Sequence, residues 1–167
     1  MSAKLALYQF LDDHLKALQA AVNLDPLAAE ANSPLFGSKL RFTHHEYSKE
    51  DDWGIHLSNV TSIPRTIGDE SQEFDARLIV TTFVRVGATP DRDDRYAAYE
   101  RANAMGLAIA QLIWADNGLG GRTCNTFVGQ MIDDFDSLST GQQHAVTNLY
   151  VTVNQSGAPL PGLWGTL

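Results

Sequence analysis

One unbroken stretch, residues 73–114, restricts the folds open to this chain: an alternating apolar strand, a tight turn at Gly87-Ala88-Thr89-Pro90, and a helix beginning near Asp91. Successive side chains of a strand point to opposite sides, so Phe74, Ala76, Leu78, Val80, Thr82, Val84 and Val86 share one face. Asp75, Arg77, Ile79, Thr81, Phe83 and Arg85 share the other. The first face needs a covering layer. The second is apolar only in its middle and charged at both ends, which suits a thinner layer, solvent or a subunit. Thr89 is a good N-cap, Pro90 fits the first helical position, and Asp91, Asp93 and Asp94 favour the positive end of the helix dipole. The helix carries a broad stripe of Tyr96, Tyr99, Ala102, Met105 or Gly106, Ile109, Leu112 and Ile113, with many small residues that permit close packing. Asn117-Gly118 is expected to end it. The turn holds no glycine-rich phosphate loop, and the acids after it would repel phosphate, so this unit is scaffold and does not begin a nucleotide-binding site.

The remaining elements follow from periodicity. Leu7, Tyr8, Leu11, Leu15, Leu18 and Val22 recur at three- and four-residue steps, predicting an amphipathic helix over residues 4–22. Residues 40–47 and 54–60 read as strands that form a hairpin or lie as neighbours. Residues 61–72 read as a surface loop. A strand is expected over 123–132, with Cys124, Thr126, Val128, Gln130 and Ile132 opposing Phe127, Gly129 and Met131. An acidic connection follows over 133–142, and the last strand covers 145–153. The pattern makes residues 1–153 one α+β domain and 154–167 an irregular C-terminal arm broken by Gly and Pro. Leu163, Trp164 and Leu167 of that arm need a cover, on their own domain or on a neighbouring subunit.

Composition narrows the class. The 167 residues fit one domain, and 44% hydrophobic with 19% charged residues is the balance of a folded protein. Cys124 stands alone, so no intrachain disulfide forms. No apolar run approaches the roughly 20 residues that span a bilayer, so no membrane contact is expected. A net charge of −8 argues against gripping a phosphate backbone, yet suits an acidic wall past which a polyanion slides.

Catalytic chemistry is not spelled out. His44, His45, Glu46 and His56 are the one cluster of metal-ligand type, and their spacing matches no zinc or iron motif, so surface strand residues are the better reading. The acid pairs Asp12-Asp13, Asp51-Asp52, Asp93-Asp94 and Asp133-Asp134 mostly sit where solvated turns and helix ends favour acids. The glycine-rich stretch 117–123 follows a helix and lacks the Gly-Lys-Ser/Thr ending of a phosphate loop. Cys124 reads as a small core residue. No enzyme, metal or cofactor is expected.

The order of helix, two strands, long strand, long helix and two closing strands in one acidic chain resembles the tail terminator proteins of tailed bacteriophages, also called tail tube terminators or tail completion proteins. The likeness is carried by the helix over 4–22, by Arg77-Leu-Ile-Val-Thr-Thr-Phe-Val-Arg-Val86 with the helix after it, and by Asn148-Leu-Tyr-Val-Thr-Val-Asn154. It implies a mixed, mostly antiparallel sheet with two long helices packed on one face. It further implies a hexameric ring that caps the tail tube, stops its polymerisation and meets the neck and head connector, with DNA passing unbound through the lumen. Such a protein is assembled in the host cytoplasm and resides in the virion. Loop acids near the ring or tube surfaces would be Asp51, Asp52, Asp69, Glu70 and Glu73. Another neck protein that completes the head-tail connector, or a small oligomeric metal-dependent enzyme, are the alternatives.

Overall fold

The computed structural model describes residues 2–14, 16–18, 40–41, 53–64, 72–87, 92–137 and 143–157. The elements are α1 (Ala3–Asp13), β1 (Leu40–Arg41), β2 (Trp53–Pro64), β3 (Gln72–Gly87), α2 (Arg92–Ala115), β4 (Asn125–Ser137) and β5 (Gln143–Gly157). They form one α+β domain with a five-stranded sheet in the order β1-β2-β3-β5-β4. All neighbours are antiparallel except β1, which runs parallel to β2 through Leu40↔Ile55 and Arg41↔His56. That parallel pair is the neighbouring-strand arrangement for the two described residues of the expected strand, and residues 42–47 lie outside the described residues.

The alternation along β3 sets the layers. Ala76, Leu78, Val80 and Val84 are buried, as are their cross-strand partners Val153, Val151, Leu149 and Ala145 on β5. Ile55 and Leu57 of β2 join them, and both helices cover this face in one apolar core with Leu7, Phe10 and Leu11 of α1 and Met105, Ile109 and Ile113 of α2. On the opposite face Phe83 and Val146 are buried in the middle while Arg77 is exposed, as the charged ends of that face require.

Several boundaries move, each for a local reason. Ser2 caps α1 by accepting the Leu5 N–H at 3.2 Å. The first helical run ends at Asp13: His14 leaves helical dihedrals, although its N–H still meets the Phe10 carbonyl at 3.3 Å and its ring Nδ1 lies 2.8 Å from the same oxygen, and residues 15 and 19–22 of the expected helix lie outside the described residues. Helical backbone resumes at 16–18, where the Leu18 N–H meets the His14 carbonyl at 2.9 Å. β2 continues through residues 61–64, where a loop was expected. A register shift between Asn59 and Thr61 keeps it paired with β3, and Pro64 is tolerated as its last residue.

Helix α2 spans 24 residues, and its expected cap at Thr89 lies outside the described residues. Tyr96, expected in the buried stripe, is exposed instead, where the negative charge of Glu100 one turn on raises its hydroxyl above its ordinary value. The left-handed backbone that ends the helix falls at Leu119 (φ 51°), Gly120 (φ 68°) and Gly121 (φ 78°), not at Asn117-Gly118. The Asp116 carboxylate accepts the Gly120 N–H at 2.8 Å and so holds the turn, while the buried Leu119 side chain offsets its own unfavourable dihedral. At the end of the sheet β5 continues four residues past Val153 to Gly157, pairing Asn154 to Gly157 with Asp75 to Gln72. The start of the expected arm is therefore strand, and residues 158–167 lie outside the described residues.

Candidate functional site

Among the described residues β4 is the outer strand of the sheet, 13 residues long, and one side of its backbone has no described strand beside it. It starts at Asn125 and passes straight through Asp133, Asp134 and Asp136, where a connection was expected. The reason is pairing: Asp133, Asp134 and Asp136 sit in register with Thr147, Val146 and His144 of β5. Asp133 is also bound in place, accepting from the Thr147 hydroxyl at 2.6 Å and from the Asn103 amide of α2 at 3.0 Å. One carboxylate thus ties β4 to both β5 and the helix above it.

A register shift between Val128 and Gln130 leaves Gly129 as a bulge and reverses the alternation beyond it. Phe127 pairs with Thr152 and Ile132 with Asn148, so these two side chains share a face although simple alternation separates them. Met131, opposite Leu149, moves to the helix side. Phe127 (53% exposed), Ile132 (39%) and Tyr150 (40%) together make an exposed apolar patch on the face away from the helices. On the helix side Met131 is exposed beside Gly106, next to exposed Leu107, with Trp114 (61% exposed) two turns further along α2. The β4 side of the molecule therefore shows large apolar groups on both faces of this outer strand, the arrangement expected of a protein-protein contact and hazardous if left bare.

Sequence-predicted residues are scattered relative to this surface. Glu73 lies at the start of β3 opposite Ser156, at the other end of the sheet from the acids of β4. Asp51, Asp52, Asp69, Glu70, Leu163, Trp164 and Leu167 lie outside the described residues, as do His44, His45 and Glu46. His56 is buried on β2 opposite Thr81, whose hydroxyl donates to the Asn148 side chain at 2.7 Å. Among the described residues no group of three or more His, Cys, Asp or Glu is placed to hold a metal ion. Asp12 and Asp13 are exposed at the end of α1, where Asp13 pairs with Arg122 at 2.6 Å. Asp93 and Asp94 occupy the first turn of α2 as expected. Cys124, expected in the core, is exposed in the turn before β4. No described helix is long and apolar enough to cross a membrane.

Two cations are drawn inward. Burial lowers the Lys4 ammonium below its ordinary value, and likewise the Arg101 guanidinium, whose Nε is shielded without a hydrogen-bond partner. Both lie on helices. The β4 surface was missed in the sequence because its signal is a single glycine: only a bulge at Gly129 brings Phe127 and Ile132 to one face. Comparison with protein-family models and with curated proteins finds no match to this chain.

Proposed function

We propose that this protein is a ring-forming structural component of a phage tail, the terminator that caps the tail tube and joins it to the neck. The observation that carries the reading is the β4 edge, the outer edge of the sheet among the described residues and apolar on both faces, which suits repeated contact between copies. The order of elements resembles the terminator family. A net charge of −8 suits a lumen through which DNA slides without sticking. The partners would then be further copies of the same chain, the tail tube protein and the head-tail connector, and the role would be structural, not enzymatic.

Native mass spectrometry of the full chain, followed by negative-stain imaging of the chain mixed with purified tail tubes, tests this. A hexamer, or a monomer that becomes a ring at one end of the tubes, is the expected result. Rings that bind isolated connectors and ignore tubes would point to a connector completion protein instead. A compact dimer with stoichiometric metal would overturn the reading.

A further inference from the structure

We infer that residues 158–167 of one copy add as an outer strand to the β4 edge of a neighbouring copy, linking successive subunits. This rests on the ring reading and names the contact that would build the ring. Ten residues follow Gly157, and their sequence fits a strand that pairs on one side only. In extended backbone successive N–H groups point to opposite sides. Pro159 and Pro161 are two apart, so the side lacking donors is one side, the one an edge strand turns to solvent. Ala158, Leu160, Gly162 and Trp164 keep their donors on the other side, facing β4.

The side chains match as well. Leu160 and Trp164 fall on one face of such a strand, Leu163 and Leu167 on the other. β4 offers apolar groups on both faces: Phe127 and Ile132 on one, Met131 on the other. The geometry favours a neighbour over the same chain. Asn154 of β5 stands opposite Asn125 at the head of β4, so the segment leaves the sheet at that end. To reach its own outer edge it must reverse and cross two strand spacings, about 10 Å. That crossing uses about three residues and removes Leu160 from pairing. A neighbouring edge receives the segment in the direction it already runs.

Cys124 is the only cysteine, is exposed, and sits at the head of β4, so it reports on the contact. Wild-type chain is mixed with the Cys124→Ser/Leu160→Cys variant, oxidised with and without tail tubes, and the products are weighed. The expected product is a disulfide-linked pair of one wild-type and one variant chain. Leu160→Pro, which removes a donor facing β4, should raise the concentration needed for assembly about tenfold or more, while Pro161→Ala leaves it unchanged. Both variants should keep the wild-type circular dichroism. If wild-type rings form but no mixed disulfide appears, or if a single Leu160→Cys variant that keeps Cys124 closes a disulfide within one chain, this contact is wrong and the ring reading stands. A wild-type chain that stays monomeric even on tubes overturns both.

Discussion

Thr82 is the residue on which the helix and sheet layers are hinged chemically. Its hydroxyl is fully buried in β3 and lies 2.7 Å from the Ala102 carbonyl of α2, with the Thr147 carbonyl 3.3 Å away on β5. Valine has the same shape without the donor, so Thr82→Val should lower stability by about 1 kcal/mol, read as a shift in urea midpoint at unchanged slope. Lys4 gives a pH dependence. Its folded-state value lies below the ordinary 10.5 because burial disfavours the charged amine, so between the two values the unfolded chain binds more protons than the folded one. Wild-type protein should therefore gain stability relative to Lys4→Met as pH rises toward 10.5, and lose that relative gain as pH falls below the folded value; denaturation series at several pH values read it directly. A flat difference across that range would show that the amine is not desolvated.

At the level of elements, close approach of α2 to the sheet depends on Gly106. A Cβ there would sit 3.0 Å from both Leu149 Cδ1 and Thr147 Cγ2, side chains already packed in the core. Gly106→Leu should cost about 2 kcal/mol or more by overpacking, despite leucine's better helix propensity, and should appear as a lowered thermal midpoint. Much of this layer was legible beforehand. The period-two alternation of β3 and β5 and the helical spacing of Ala102, Met105, Ile109 and Ile113 each name their buried face without ambiguity. What escaped was whatever tertiary pairing decides: the run of β2 to Pro64 and of β4 through three aspartates, both written in polar residues that look like loop until a partner strand supplies hydrogen bonds. The Gly129 bulge is the sharpest case, since alternation cannot be carried across an inserted residue. Tyr96 escaped for a different reason, as an aromatic ring with a hydroxyl can satisfy a helical stripe in the core or a carboxylate at the surface.

For the whole molecule, the separation of core from candidate contact surface makes the ring reading testable without unfolding the protein. Phe127 belongs to no part of the apolar core, so Phe127→Asp should leave the melting temperature within about 2 °C of wild type, as a surface change of a few tenths of a kcal/mol would. The same substitution should lower the assembled mass seen by light scattering. A large loss of melting temperature would instead place Phe127 in the fold. Strand order has a further consequence, for the history of each molecule. β3 finds its central partner in β5, as in the Thr81–Asn148 bond that spans 67 residues, and the last of the described strands to be synthesised is therefore the one that completes the middle of the sheet. Until then β3 presents an apolar face with at most β2 beside it, so the nascent chain cannot close its core early. Folding should be slow for its size and should wait for β5 to emerge, which also keeps a half-made subunit from joining an assembly.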